Sequence, residues 1–323
     1  MNGTVLIVTE PEDVHADAVI TKLNELEVNV FRFHPEEFPA GGSITIGVEG
    51  AMTAEIVTPH RRLRSQDVMS AWLRRPRPVK APVGTEPSLA RYIEVQTSLT
   101  IQMVYESIPQ ERWVCSHRAL HLAELKGLQM ARAKQVGLDV PRTSITNDPG
   151  QAKAFRNAFD PRRCAVKALR PENVVHPDSQ GRALTLTKVW NDDVADDSIA
   201  AAPLCVQEYI EKKSDWRVTV IGDRIFPVRM HTQEHESARV DSRGADPMSI
   251  RHEPVTLPAA VEAGIRALLE SFGIRFAAID LLERPDGSLV FIDLNPNGQW
   301  LWIEHATKLP LVDAMVELLT TRR

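Results

Sequence analysis

The sequence predicts an α/β protein built as three successive units. Short apolar runs of strand length alternate with amphipathic helical stretches along all 323 residues. Proline, glycine and Asn/Asp clusters separate these runs at element-sized intervals. Near the C-terminus, FAAIDLLERPDGSLVFIDLNPNGQW (276–300) reads as a hairpin whose strands hold acids inside apolar runs.

The first unit covers residues 1–115. TVLIVT (4–9) is a strand, and a helix over about 13–27 carries Val14, Ala18, Leu23 and Leu26 on one face. VNVFRF (28–33) is a second strand, and SITIGVE and AEIVTP are short strands beyond a Pro/Gly loop. VMSAWLRRPRP (68–78) is stopped by its prolines. A helix over about 86–107 leads to RWVCS, read as another strand. The second unit, 116–203, opens with a helical stretch (116–137) that Gly127 is placed to break. PRTSITND is a strand into a turn, and Asp148 followed by Pro149 is a helix start signal. CAVKALR (164–170) and RALTLTKVW (182–190) are strands around the loop PENVVHPDSQG. The third unit, 204–323, contains LCVQEYI, WRVTVIG and RIFPVRMH as strands. The amphipathic helix 258–273, the acidic hairpin and a last helix, LVDAMVELLTT, follow.

Composition excludes several classes. A net charge of −5 gives no electrostatic reason to expect nucleic acid. Cys115, Cys164 and Cys205 are far apart and form no Cys-x-x-Cys pair, so reduced thiols are expected rather than a zinc ribbon or disulfide framework. No run approaches a membrane span, and MNGTVLIVTEPED reads as a first strand rather than a signal peptide. The expectation is a soluble cytoplasmic protein.

The hairpin carries the chemistry. Asp293 and Asn295 lie two apart and share a strand face, and the turn brings Asp280 alongside. Two carboxylates and an amide carbonyl are hard oxygen donors, which suit magnesium rather than zinc. Lys167, inside the apolar run CAVKAL, is either an edge residue or a phosphate ligand, because an unpaired buried ammonium is costly. Lys126 lies beside Gly127. Two such lysines ahead of an oxygen-rich hairpin point to a nucleoside triphosphate. The sequence has neither a P-loop nor a G-x-G-x-x-G after its first strand.

Lys126, Lys167, VQEYI (206–210) and the set Asp280, Asp293, Asn295, Pro296 together resemble the ATP-grasp superfamily. WLRRP (72–76) and NPNGQW (295–300) are similar to its peptide maturases that make graspetides, the microviridin-type peptides with side-chain ester or amide rings. More distantly the chain resembles the ribosomal-protein glutamate ligases. The resemblance implies a three-part ATP-grasp architecture: an N-terminal α/β domain, with ATP held between central and C-terminal α+β domains. It implies phosphate binding by Lys126 and Lys167, and adenine contacts from Glu208 and the backbone of Tyr209 and Ile210. Asp215 is implied near the ribose, and Arg243 at the triphosphate through an Asp-aromatic-Arg motif read at Asp241-Ser242-Arg243. Two magnesium ions on Asp280, Asp293 and Asn295, and a loop, 171–181, closing over the phosphates, are implied as well. Asp293 stands where the family usually has Glu, and Ser242 where it has Trp. Lys167, Arg243, Asp280 and Asp293 are the implied catalytic groups.

The implied activity is ATP-dependent macrocyclisation. Asp/Glu side chains of a ribosomal precursor peptide, with leader and core, become acyl phosphates and join Ser/Thr hydroxyls or Lys amines. The resemblance also implies a homodimer. Two alternatives stay open: a ligase acting on a free amino acid or small peptide, and a non-catalytic ATP-binding regulator. Arg74, Arg75, Arg217 and Arg229 are candidate peptide contacts, Arg74 and Arg75 equally readable as solvent-facing. A polar stretch from 229 to 257, with Arg229, Arg239 and Arg251, is expected to bind the leader. His117/His121 and His231/His235 lack the H-E-x-x-H pattern of a metal site. Trp300 and Trp302 are read on an extended segment or turn, as packing residues or as pocket lining.

Overall fold

A computed structural model describes residues 3–159, 163–170, 173–175, 182–184, 186–190 and 194–321. The N-terminal unit contains β1 (Thr4–Thr9), α1 (Val14–Glu25), β2 (Val30–Phe33), β3 (Ser43–Glu49), β4 (Ala51–Val57), β5 (Arg62–Arg64), β6 (Val68–Arg75) and α2 (Pro87–Glu106). Strand β1 lies between β2 and β6, both parallel to it, and every one of its residues is buried. That is why it reads as a continuous apolar run rather than an alternating one. Strands β3, β4 and β5 form a separate antiparallel meander. Helix α1 buries His15, Ala16, Val19 and Leu23. Val14 and Leu26, expected on that face, are exposed, because the helix turns its His15–Val19–Leu23 stripe inward. RWVCS is not a strand; it makes only isolated bridges, Ala71 to Trp113 and Cys115 to Ile274.

The next elements are α3 (His117–Ala123), α4 (Lys126–Gln135), β7 (Thr143–Thr146), α5 (Pro149–Asn157), β8 (Cys164–Lys167), β9 (Asn173–Val175), β10 (Arg182–Leu184), β11 (Lys188–Val189), α6 (Asp196–Ala201) and β12 (Leu204–Glu208). The helical break falls before Lys126, with Leu125 as cap, and Gly127 lies inside α4. Asp148 caps α5 by accepting from Gly150 and Gln151 N–H, as its sequence predicts. Strand order is β11-β8-β12-β7, so β12 completes the central sheet. A boundary at 203 therefore separates this strand from its own hydrogen-bond partners. The central sheet has a small core of its own around Cys164, Trp190, Ile199 and Val206. Helices α3 and α4 instead join the large core shared by the N- and C-terminal units.

The C-terminal unit has β13 (Ser214–Ile221), β14 (Arg224–Met230), β15 (His252–Pro254), α7 (Ala259–Phe272), β16 (Phe276–Glu283), β17 (Leu289–Asn295), α8 (Leu301–Thr307) and α9 (Leu311–Thr320). Its antiparallel sheet runs β15-β14-β13-β16-β17. Helix α7 ends at Gly273, whose φ of 67° closes the helix in the left-handed conformation. The segment around Trp300 is not extended: Trp300 precedes α8 and is fully buried, whereas Trp302 lies within the helix. Among the described residues no helix is long and apolar enough to cross a membrane, and the three cysteines are free and buried.

Candidate active site

The site begins with an irregularity in the hairpin. Asp280 pairs with Asp293, but the next pair is Leu281 with Phe291, so Ile292 is an extra residue on β17. A bulge of this kind re-aims side chains and frees a backbone group from the ladder. The Ile292 carbonyl accepts from Lys167 Nζ at 3.4 Å. Asp280 and Asp293 are directly opposed, which sets their Cα atoms about 5 Å apart. Helix α4 fixes the outer edge of β17. Gln129, buried, donates Nε2 to the Leu294 carbonyl at 2.8 Å and accepts the Leu294 N–H at 3.1 Å. This side-chain amide replaces a missing neighbouring strand and holds Asp293 and Asn295 on either side of it.

These groups line a cavity of about 370 Å³ between the central and C-terminal sheets. Lys126, Lys167, Glu208, Tyr209, Ile210, Asp215, Arg217, Arg243, Asp280, Asp293, Asn295 and Arg75 all face it. Lys126 Nζ pairs with Asp293 Oδ1. Arg217 Nη1 pairs with Asp280 Oδ1 at 2.6 Å, and its Nη2 donates to the Gln299 carbonyl at 3.0 Å. The two acids therefore each meet a cation from a different element, and both stay partly exposed. Burial lowers the Lys167 pKa, with Asp293 opposing that shift. Glu208 Oε2 accepts the Arg142 N–H at 3.2 Å.

Asp215 is buried and already occupied: Lys212 Nζ reaches its two oxygens at 2.9 and 2.7 Å, and Thr232 Oγ1 donates to it. Burial raises its pKa, against the Lys212 charge. Arg243 donates Nε and Nη2 to Asp241 at 2.9 and 2.5 Å, and this hydrogen-bonded pairing raises its pKa. Asp241 also accepts the Thr187 N–H at 2.8 Å, tying this segment to the chain leading into β11. The run Asp215-Trp216-Arg217 carries the aromatic residue that Asp241-Ser242-Arg243 lacks. It has the Asp-aromatic-Arg pattern and places Arg217 on a hairpin carboxylate.

Two peptide candidates are corrected. Arg74 is fully buried, with its Nε 3.6 Å from Asp13 Oδ2 and its Nη1 donating to the Asn297 carbonyl. Burial pushes its pKa down to about 10. No face of it is open to a peptide. Arg229 lies on the sheet face away from the cavity, donating Nε to Glu283 at 2.9 Å and stacking on Trp216. Arg251 is held by Glu234 and His231. Of the loop 171–181, residues 171–172 and 176–181 lie outside the described residues; 173–175 form β9, which pairs with β10.

The donor set fits magnesium. Two carboxylates face each other across one register pair, and the Asn295 side-chain oxygen Oδ1 accepts the Asn297 N–H at 3.0 Å, which leaves it a lone pair. Among the described residues no group of three or more His, Cys, Asp or Glu is placed to hold a metal. Sequence reasoning missed Gln129 and Lys212. Gln129 lies three residues after Lys126, on the same helix face, and that spacing was the available signal.

A family model described as the MvdD pre-ATP grasp domain matches residues 4–121. A RiPP-associated ATP-grasp ligase of Chryseobacterium gregarium, solved in complex with ADP and a leader and core peptide, superposes with a TM-score of 0.89 at 23% identity, over 99% of this chain and 98% of that one. The macrocyclase MdnC of Microcystis aeruginosa, bound with precursor peptide MdnA, gives 0.85 at 25% identity, over 98% and 99%. D-alanyl-alanine synthetase A of Vibrio cholerae gives 0.58 at 12%, over 99% and 98%. No curated protein sequence matches this chain. The chain has the fold of ATP-grasp ligases.

Proposed function

We infer that this chain is an ATP-dependent peptide ligase, a macrocyclase acting on a ribosomal precursor peptide with leader and core. One observation carries this reading. Lysines from the central unit and an acid pair from the C-terminal hairpin meet across one cleft. The structural neighbours with that arrangement of sheets include ligases solved with ADP and precursor peptides.

The chemistry follows from the groups present. A carboxylate does not condense with an alcohol or amine in water unaided. Its oxygen takes the γ-phosphoryl group of ATP, the bond to the β-phosphate oxygen breaks, and ADP leaves. A Ser/Thr hydroxyl or Lys amine then adds to the acyl carbon, the proton passes to solvent, and phosphate departs with the electron pair. Charge spreads over phosphoryl oxygens in the first step, so cations matter more than bases. Lys126, Lys167 and Arg243 contribute this charge, Glu208 with the backbone of Tyr209 and Ile210 holds adenine, and Asp215 orders Lys212 at the cavity wall. Asp280, Asp293 and Asn295 would hold two magnesium ions, which supply charge neutralisation and alignment of the phosphates when bound. Both Arg75 and Arg217 face the cavity; Arg75 remains a peptide-side candidate, whereas Arg217, in the Asp215-Trp216-Arg217 run and paired with Asp280, joins the cations at the phosphates.

A homodimer forms part of this reading. Leu89, Tyr92, Leu99 and Met103 make one exposed apolar stripe along α2, opposite its buried face. A cytoplasmic location suits an enzyme that consumes ATP and has three unpaired buried thiols.

The test is co-expression with the small open reading frame beside the gene, followed by intact mass. The expected product has lost one water per ring. An unmodified precursor alongside ADP release with a free amino acid would favour a small-substrate ligase. Nucleotide binding without ADP release under any substrate would make the chain a regulator.

A further inference from the structure

The runs WLRRP and NPNGQW, which carry the resemblance to the peptide maturases, meet at a buried polar network that no part of the proposed chemistry uses. Asp13 is its centre. Thr9 Oγ1 donates to Asp13 Oδ2 at 2.6 Å, the His15 N–H donates to Oδ1 at 3.1 Å, and the His15 ring Nδ1 lies 3.4 Å from the same oxygen. Arg74 places its buried guanidinium against Asp13 and donates to the Asn297 carbonyl. His15 Nε2 accepts the Trp300 N–H at 3.1 Å, while the two rings meet edge to face at 5.3 Å. An accepting Nε2 places the ring proton on Nδ1, toward Asp13. Burial lowers the His15 pKa, which keeps the ring neutral. Burial raises that of Asp13, but the His15 hydrogen bond and the Arg74 charge outweigh it, so the carboxylate stays ionised.

Both contacts land on the backbone of one short loop, at Asn297 and Trp300. That loop starts at Asn295 and passes Gly298, where a Cβ would come within 2.4 Å of the Ala278 Cβ. Its Gln299 carbonyl takes the Arg217 arm other than the one on Asp280, and it ends at Trp300. A buried guanidinium or carboxylate without its counter-charge is costly, so Asp13 and Arg74 each depend on the other.

We propose that Asp13, His15 and Arg74 are positioning residues that hold the 295–300 loop, and through it the Asn295 oxygen and the Arg217–Asp280 pair, in the geometry needed for metal. The N-terminal unit thereby shapes the metal end of the ATP site through residues that do not line the cavity. This rests on the reading of the hairpin as a magnesium site.

Glutamine and asparagine at position 15 separate the alternatives. A glutamine amide reaches the place of Nε2, whereas an asparagine amide reaches only that of Nδ1. Manganese binding to the protein with a non-hydrolysable ATP analogue is read by electron paramagnetic resonance, beside thermal unfolding. His15→Gln is expected to bind manganese within about twofold of wild type, and His15→Asn about tenfold more weakly, the order of one lost hydrogen bond. A purely structural role would lower both melting temperatures and leave manganese affinity equal in the two variants, which overturns the proposal. Arg74→Lys, which keeps the charge near Asp13 but cannot also reach Asn297, is expected to follow His15→Asn; wild-type manganese affinity there also overturns it. If wild type binds no manganese at all, the hairpin is not a metal site and the proposed function fails with the inference. If wild type binds and His15→Asn binds equally, only the coupling fails.

Discussion

Lys126 already touches the Asp293 carboxylate, and that contact decides what a longer acid would do there. The Ile292 bulge and the Gln129 grip on Leu294 fix the backbone on both sides of Asp293. With the backbone held, the added methylene of a glutamate would carry its carboxylate beyond the position that Asp293 gives it beside Lys126. Asp293→Glu is therefore expected to lower activity, since magnesium demands near-octahedral geometry at about 2.1 Å. On the proposed mechanism, Asp293→Asn and Asp280→Asn each remove a charged oxygen from the phosphoryl-transfer centre, and turnover should fall about a hundredfold or more, with nucleotide-free peptide binding unchanged. A magnesium titration of ADP release checks all three. Full activity of Asp293→Glu at a lower magnesium requirement would contradict this geometry, and wild-type turnover of Asp280→Asn at limiting magnesium would remove it from the site.

At the scale of elements, the sequence was most legible where one local rule dominates. Asp148-Pro149 announced α5, and alternating or continuous apolar runs announced β1, β13, β16 and β17. It was least legible where a side chain's role depends on another unit. Arg74 looks like a surface residue before a proline, yet a loop more than two hundred positions away buries it. RWVCS has strand composition but finds no long partner, and β12 belongs to a sheet that its position in the chain does not reveal. The Ile292 bulge leaves no mark in the alternation of FIDLN, although it sets how the acids face Lys167. Helix α2 adds a prediction at this scale. Its exposed stripe of Leu89, Tyr92, Leu99 and Met103 is too continuous for a purely solvated face. Leu99→Glu places a charge at its middle and should convert a dimer to a monomer in sedimentation velocity, with the far-ultraviolet circular dichroism unchanged. A wild-type chain that sediments as a monomer at micromolar concentration would sink the homodimer reading.

Across the whole molecule, the cleft lies between parts that are stabilised separately. The N- and C-terminal units share one large core together with α3 and α4, whereas the central sheet packs on a small cluster of its own. Among the described residues the central sheet buries the smaller apolar cluster, so a bound ligand should stabilise it most. A nucleotide bound between Lys167 or Glu208 on one side and the hairpin on the other ties the two together. Its binding free energy then becomes stability of the folded state: at a hundred times its Kd, a ligand adds about 2.7 kcal/mol. A non-hydrolysable ATP analogue with magnesium should therefore raise the urea midpoint of wild type and slow hydrogen exchange in β7, β8 and β12. The metal increment can be separated from the nucleotide increment. Asp280→Asn keeps the lysines and the adenine-side residues, so it should retain the shift produced by the analogue alone and lose the further shift produced by magnesium. Lys167→Met should lose most of both, because its ammonium is the cation that β8 brings to the cleft. Equal magnesium increments in wild type and Asp280→Asn would place the metal elsewhere, and an analogue that leaves exchange in the central sheet unchanged would mean that nucleotide does not bridge the two sheets.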